Sequence, residues 1–306
     1  MSAIERQLME EPLATRVATP PIEMKVTQKR PRGKPLEWIL VHIAFVIIIL
    51  FFGAPFLWMV LAAFDGNATA YIRWPQNPTL NNFKTIFEEL DFGRSLANSV
   101  FVATSTMILA TITVSLAAYS LSRLQFRGKG LLVYMVLVLQ TMPLAATMVP
   151  IYGLARQLHL RNSYQGLILI HTAIELPFLI WLMKGFFDAI PRYLEEAAWI
   201  DGRSKLRAWF EVLLPMAKPG IGVIAGFAFL SAWSEVLMVL ILVDNTKYAT
   251  VPLAFYQTQR TGGSYGDVRY ELVAAMGILY VLPVLILFFA TRKMMVRGLM
   301  GTTRGM

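Results

Sequence analysis

Two carboxylates stand alone inside long apolar stretches, at Glu175 and at Glu235. An ionised side chain near the middle of a bilayer costs about 2.5–3.5 kcal/mol on insertion scales, so such residues usually face a cavity or a protein partner. Trp233 and Ser234 adjoin Glu235. Because carboxylates accept hydrogen bonds from hydroxyl groups, and an indole face suits the C–H surface of a sugar ring, this set predicts a site for a polyhydroxylated solute.

Gln140 is a further polar group in an apolar stretch, where it stands beside Thr141 and Pro143. Two interpretations stay open for Gln140 and for the two acids. They line the path of a solute, or they form hydrogen bonds across helices and hold protein chains together.

Several kinds of chemistry are excluded by what the sequence lacks. It has no Cys, and therefore neither disulfides nor thiolate metal sites. His42, His159 and His171 lie far apart without the spacing of metal ligands. No stretch matches the phosphate-binding pattern G-x-x-x-x-G-K-[ST], and no nucleophile stands in a pattern with a base. The sequence therefore predicts no catalytic residue, no metal site and no cofactor bound by this chain.

The composition is that of a membrane protein. Hydrophobic residues make up 56% of the chain, charged residues 15%, and the mean hydropathy is +0.55, whereas soluble domains average about 25% charged residues. A bilayer-spanning helix needs about 20 mostly apolar residues. Six stretches meet this requirement, and we predict spans at 36–64, 96–121, 131–155, 167–188, 219–243 and 271–291. Prolines inside them predict bends, either as packing kinks or as a hinge: Pro143, Pro150, Pro177 and Pro283.

The positive charges are distributed unequally between the two sides of the predicted bundle. Most of the 28 Lys and Arg residues fall in the N-terminal tail, in the C-terminal tail, and around the segments that follow the second and fourth spans. The positive-inside rule therefore places both termini in the cytoplasm. The net charge of +9 is explained by this topology and by attraction to anionic lipid, so nucleic acid is not expected as a partner.

This topology divides the chain into a tail, a six-helix domain and a second tail. The N-terminal tail is expected to be disordered or to form a short surface helix. The first outer loop is expected to contain a short helix at 82–89, and another outer loop, 244–270, is expected to contain a flexible run at 261–266. The predicted parts are a cytoplasmic tail 1–35, a transmembrane domain 36–291 with an outer loop 65–95 and a cytoplasmic segment 189–218, and a cytoplasmic tail 292–306.

The cytoplasmic segment reads as two short helices that meet at a glycine turn. Pro191 suits the first position of a helix, and Gly202 stands where a left-handed residue ends one. Ser204 suits the cap of a second helix over 205–214. The small pair Ala197-Ala198 would let another surface approach closely. From these residues alone, a docking surface and a purely structural hairpin remain equally open.

A known motif closely resembles this segment. Glu196-Ala197-Ala198, followed after three residues by Gly202 and after nine more by Val212-Leu213-Leu214-Pro215, is similar to the motif E-A-A-x3-G-x9-I-x-L-P of ABC importer permeases. Only the Ile position differs, as Val212. The resemblance implies that these residues couple the chain to an ATPase: Glu195, Glu196, Ala197, Ala198, Asp201, Gly202, Leu214 and Pro215.

Other stretches resemble the MalG-type branch, the carbohydrate permeases of this family. They are "PTLNNFKTIF" (78–87), "LANSV" (96–100), "AAYSLSRLQFRGKG" (117–130), "AWSEVLMVLILV" (232–243) and "TVPLAF" (250–255). The resemblance covers residues 36–300. It implies an all-α integral membrane protein with six transmembrane helices, the type I ABC importer permease fold, and a cytoplasmic coupling helix.

The resemblance also implies a function and a set of partners. The chain is expected to be the permease subunit of an ATP-driven sugar importer in a bacterial or archaeal cytoplasmic membrane. Its expected partners are a second permease, two ATP-binding subunits that hold ATP and Mg²⁺, and an extracytoplasmic sugar-binding protein. An importer of another polar solute is the alternative. A secondary transporter fits less well because no mirrored halves are visible.

Overall fold

The computed structural model describes residues 35–260 and 268–302, with side chains at 38–258 and 268–289. The predicted N-terminal tail up to residue 34 and the predicted flexible run at 261–266 lie outside these residues. Within them the chain is mostly helical, with one isolated bridge between Asp65 and Pro78. The helices of the described residues are α1 Pro35–Ala63, α2 Asn81–Glu88, α3 Phe92–Arg123, α4 Lys129–Leu139, α5 Leu144–Gln157, α6 Tyr164–Asp188, α7 Tyr193–Ile200, α8 Lys205–Met216, α9 Lys218–Ser234, α10 Leu237–Leu242, α11 Val251–Arg260 and α12 Tyr270–Thr302.

Four of these helices, α1, α3, α6 and α12, are long and apolar enough to cross a membrane. The number rises to six when the bent pairs α4–α5 and α8–α9 each count as one span. The expected all-α integral membrane fold is therefore confirmed, with four to six spans. The chain forms two compact units, one ending at Gly53 within α1 and the other beginning at Ala54.

The predicted third span is broken rather than continuous. Helix α4 ends at Leu139 and α5 begins at Leu144, and the two axes differ in direction by 100°. Pro143 lies in the break with φ −60° and ψ 130°, and its ring nitrogen has no hydrogen to donate to a preceding turn. Pro143 therefore marks a break between two helices and not a kink within one. The other three prolines lie inside helices: Pro150 in α5, Pro177 in α6 and Pro283 in α12.

The predicted fifth span is also broken. Helix α9 ends at Ser234, Glu235 has extended backbone with ψ 119°, and α10 begins at Leu237. The Glu235 carboxylate accepts a hydrogen bond of 3.0 Å from the backbone N–H of Met238. Since this side chain satisfies an otherwise unpaired amide at the start of α10, the intramembrane acid stabilises a new helix start where the sequence suggested a continuous helix.

Small residues allow the central helices to pack closely. Helix α3 contacts both α6 and α9, and it buries Ala110 and Ala118 against Met183 and Phe187 of α6. Gly220 of α9 lies so close to Phe186 that an added Cβ would come within 2.5 Å of the ring. Close backbone approach at small residues is the usual basis of helix association in membranes, and α3, α6 and α9 use it here.

The connections between spans contain more structure than expected. The predicted short helix of the first loop is confirmed as α2. The predicted loop 244–270 contains α11, where Val251 and Leu253 are buried in the apolar core; its apolar run of six residues is too short to read as a span. Helix α12 continues to Thr302, past the predicted end of the span at residue 291.

Candidate functional site

The segment that joins α6 to α9 forms a helical hairpin; residues 191–217 are called the hairpin segment below. Its first helix, α7, has Glu195 and Glu196 in its first turn, where negative charge is favourable. Gly202 has φ +83°. The amide of Gly202 donates to Trp199 O at 3.0 Å, and that of Arg203 donates to Ala198 O at 3.0 Å. This pair of bonds is a Schellman turn, so the predicted glycine turn is confirmed.

The start of the second helix is confirmed as well. The Ser204 side chain accepts from the backbone N–H of Arg207 at 3.3 Å, as an N-cap does. Glu211 then pairs with Arg207 at 2.8 Å and with Arg203 at 3.0 Å. Pro191 differs from its prediction, because it lies two residues before the first residue of α7.

Helix α7 has two chemically different faces. Tyr193, Glu196, Ala197 and Ile200 share one side at helical spacing, and all four are exposed. Ile200 is 87% exposed. A nearly fully exposed isoleucine beside a tyrosine and a small alanine is typical of a protein contact surface. This set of four residues is called the exposed face of α7.

The opposite side of α7 is buried. Ala198 is 5% and Glu195 is 2% exposed. The Glu195 carboxylate pairs with the Arg123 guanidinium at the end of α3. The predicted alanine pair therefore does not form one surface, because only Ala197 is exposed. Glu195 likewise faces the bundle and not the side where another protein could bind.

The remaining residues that the motif selected are spread along the hairpin segment. Asp201 and Gly202 are exposed at the turn, and Pro215 is exposed near the end of α8. Leu214 is half-buried against the core that α3, α6 and α9 form. Trp209 and Leu213, at 6% and 0% exposure, anchor α8 to the same core through a π-helical turn.

The two predicted intramembrane acids lie near each other. The Ser231 hydroxyl of α9 donates to the Glu175 carboxylate of α6, and Glu235 interacts electrostatically with Glu175. All three are half-buried. Glu175, Ser231 and Glu235 are called the acid cluster. Broken helices commonly present polar groups to a solute in membrane transporters, and the acid cluster lies at such a break.

The other residues predicted for a solute path are not part of this cluster. Trp233 is 1% exposed, and its indole stacks against Phe229 and Tyr280 with ring centroids 5.9 and 6.2 Å apart. It is therefore a core residue in this structure, and its faces are not open to a sugar. Ser234 is exposed and bonds back to its own helix, and Gln140 is exposed in the break between α4 and α5.

Asp65 is a buried acid that the sequence did not single out. It is 2% exposed, in the loop between α1 and α2. Its carboxylate accepts from the backbone N–H groups of Asn67 and Asn77 at 3.1 Å each and from Arg73 at 3.4 Å. Burial by itself would raise the pKa of Asp65, but these backbone donors and the Arg73 charge together hold the pKa below its ordinary value.

Asn98 is a second residue that the sequence analysis missed, although it lies in a run that carried the family resemblance. Its amide donates to Lys247 O at 2.9 Å and to Ala249 O at 2.8 Å, and its oxygen accepts from Tyr164 at 2.7 Å. Asn162 similarly accepts from the amide of Asp244 at 2.7 Å. These bonds fix the chain between α10 and α11.

The described residues contain no group of three or more His, Cys, Asp or Glu side chains that could hold a metal ion. His171 is buried at 4% exposure in α6, and His42 bonds only to Trp38 O within its own helix.

Comparison with known proteins identifies the family. The model of the family described as "Binding-protein-dependent transport system inner membrane component" matches residues 111–300. The chain belongs to this family. This permease is 34% identical to a probable ABC transporter permease of Sinorhizobium fredii, over 89% of its own length and 96% of the relative's. It is 31% identical to a maltodextrin transport system permease of Bacillus subtilis, over 92% of its own length and 100% of the relative's.

A solved structure supports the fold. The permease superposes on a chain of a bacterial ABC transporter that imports the acidic polysaccharide alginate, with a TM-score of 0.75 and 21% identity, over 86% of this chain and 97% of that one. The type I ABC importer permease fold, which the family resemblance implied, is thereby confirmed, and the permease is a multi-pass membrane protein.

Proposed function

We propose that the permease is one transmembrane subunit of an importer that moves a neutral sugar or oligosaccharide into the cell at the cost of ATP. The observation that carries this proposal is the hairpin segment. It presents the exposed face of α7 beside a left-handed glycine turn, in the sequence motif that marks ABC importer permeases. Its partners are a second permease, two ATP-binding subunits and an extracytoplasmic sugar-binding protein.

The exposed face of α7 is the proposed docking surface for an ATP-binding subunit. Ala197 permits close approach in the middle of this face, and Tyr193 and Ile200 supply exposed apolar area at its two ends. Glu196 within the face and Asp201 just after it add negative charge, which fixes orientation more than it adds affinity. Gly202 sets the direction of the turn. Leu214 and Pro215 continue the segment into α9, so a movement of α7 reaches the membrane domain. ATP and Mg²⁺ are held by the partner subunits.

A neutral sugar is the proposed solute because of the acid cluster. The carboxyl groups of Glu175 and Glu235 lie near enough to interact, and their oxygens can accept hydrogen bonds from the hydroxyl groups that an uncharged sugar presents. The maltodextrin permease of Bacillus subtilis, one of the relatives, belongs to a system for such a neutral oligosaccharide. An importer of a different polar solute is the second candidate.

The proposed orientation places the hairpin segment and both termini in the cytoplasm. It rests on the distribution of Lys and Arg. The same basic residues attract the anionic lipids of the cytoplasmic leaflet. In this orientation the loop that Asp65 holds, and the chain that Asn98 fixes between α10 and α11, face the sugar-binding protein.

The test is uptake into vesicles that contain the permease with its second permease and ATP-binding subunits. We expect accumulation of a labelled neutral oligosaccharide only when both ATP and the binding protein are supplied. Uptake driven by an ion gradient without ATP would contradict the proposal and favour a secondary transporter. Competition by unlabelled sugars, amino acids and peptides separates the sugar importer from an importer of another polar solute.

A further inference from the structure

We infer that Arg123 is a positioning residue that ties the hairpin segment to α3 and transmits its movement into the membrane domain. The inference rests on the proposed coupling to an ATPase. Arg123 is the last residue of α3, and its guanidinium makes contacts in three directions. Nε donates to the Glu195 carboxylate of α7, Nη2 donates to Ile190 O at 2.9 Å, and Nη1 donates to Ser122 Oγ at 3.3 Å.

The pair with Glu195 is shielded from water. The two side chains are 9% and 2% exposed, and charges attract more strongly in such surroundings than at a solvated surface. The planar fork of a guanidinium bonds in several fixed directions at once, which a lysine ammonium on a flexible stem does not reproduce. Arg123 therefore holds Glu195 in one place and one orientation.

Neighbouring contacts join further elements at the same point. The Ser122 hydroxyl donates to Asp188 of α6 at 2.6 Å. The Ser122 carbonyl accepts from Arg192, just before α7, and from Lys129 of α4, both at 3.3 Å. Cations at the end of a helix satisfy its last carbonyls. The ends of α3 and α6 and the starts of α4 and α7 are thus held together by charged and polar contacts.

The position of the pair on α7 gives it a mechanical role. Glu195 lies on the side of α7 opposite to Ala197 and Ile200, which belong to the exposed face. A force applied to the exposed face therefore acts on Arg123 directly. Helix α3 packs along both α6 and α9, and α9 and α6 supply the residues of the acid cluster. Arg123 accordingly connects the buried side of α7 to α3, which packs on both helices that carry the acid cluster.

The test uses Arg123→Lys, which keeps the charge beside Glu195 but loses the fixed fork. Glu88→Gln is the matched control, because Glu88 belongs to an exposed ion pair with Lys84. Two quantities are measured: solute imported per ATP hydrolysed by the unlabelled importer, and the distance distribution between spin labels on Leu206→Cys, exposed on α8 of the hairpin segment, and Leu116→Cys, exposed on α3. The chain has no other Cys, so these two positions are its only label sites.

We expect Arg123→Lys to retain its ATP-binding subunits, to broaden the distance distribution, and to lower import per ATP by about tenfold, which is within the usual range of coupling between two sites. Glu88→Gln should match the wild type. An unchanged distribution and unchanged import per ATP would overturn the inference. If Arg123→Lys does not assemble with the ATP-binding subunits, the distance distribution is measured on the full chain alone in nanodiscs. A distribution broader than that of the wild type supports the inference, and an unchanged one overturns it. Failure of the wild-type chain to bind any ATPase would instead refute the proposed function.

Discussion

Two acids, Asp65 and Glu195, are buried among the residues whose side chains the structure describes, and their carboxylates find partners in different ways. Asp65 is surrounded by donors from its own loop, two of them backbone N–H groups within twelve residues along the chain. Glu195 relies on the side chain of Arg123, which is 72 residues away in sequence. Asp65 therefore orders one loop, whereas Glu195 joins two parts of the fold. The difference shows how similar burial of a carboxylate can serve local order in one place and long-range connection in another.

The largest effect is expected when the long-range pair is broken. Glu195→Leu leaves the Arg123 charge buried without a counter-charge, which typically costs about 3–5 kcal/mol. We expect a loss of this size in the free energy of unfolding, measured by denaturation in mixed detergent. The control is Glu88→Gln, whose ion pair is exposed and should not change stability measurably. A loss no larger than that of the control would show that the pair does not hold the hairpin segment.

A smaller effect is expected when the local cluster is broken. Asp65→Ala removes the acceptor of two backbone amides and of Arg73, and hydrogen bonds to a charged group contribute about 1.5–3 kcal/mol. The loss should stay below that of Glu195→Leu, because these donors lie near the surface and regain water. Asp65→Asn, which keeps one acceptor oxygen, should fall between Asp65→Ala and the wild type. A larger loss in the free energy of unfolding for Asp65→Ala than for Glu195→Leu would contradict the comparison.

A substitution in the glycine turn should reduce coupling to ATP much more than it reduces stability. An added Cβ at Gly202 meets no atom within 4 Å. Gly202→Val therefore loses stability only because valine must adopt a left-handed backbone conformation, which costs about 1–2 kcal/mol. Gly128 is a matched control, with φ +85° and equally open space, but it lies between α3 and α4. We expect similar stability for the two valine variants and a loss of ATP-driven uptake for Gly202→Val alone. Equal uptake in both would remove Gly202 from the coupling role.

The smallest expected effect is the pH dependence of the stability that Asp65 contributes. The pKa of Asp65 is lowered in the folded chain, so its contribution to stability is complete above the unfolded value of about 3.9. That contribution is lost as the pH falls through the folded pKa. We expect the difference in melting temperature between wild type and Asp65→Asn to be constant from pH 7 to about 5. Below that range it should shrink, and a difference that grows on acidification would contradict the assigned direction.

The sequence indicated the local features of the hairpin segment more reliably than its long-range contacts. The turn at Gly202 and the cap at Ser204 follow from residues close to one another in the chain, and both are confirmed. The partner of Glu195 was not predictable, because nothing in a pattern of neighbouring residues connects it with Arg123. For the same reason the sequence did not reveal that Trp233 is enclosed by two other rings.

The breaks in the apolar spans were only partly predictable. Gln140 and Pro143 marked the third span as polar and bent, but hydropathy alone did not separate a kink from a turn of 100°. At Glu235 the averaged hydropathy stayed high on both sides. The break depends instead on one carboxylate that satisfies the Met238 amide, a contact that becomes visible only in three dimensions.

The central claim is that the exposed face of α7 binds an ATP-binding subunit, and cysteine cross-linking tests it most directly. The chain has no Cys, so single cysteines can be placed at Ile200, which is 87% exposed, and at Ala198, which is 5% exposed. On the assembled importer, a short thiol-reactive cross-linker should join Ile200→Cys to the ATP-binding subunit, and the yield should change when ATP is added. Ala198→Cys should give no product. Cross-linking from Ala198→Cys with none from Ile200→Cys would show that the wrong side of α7 has been assigned.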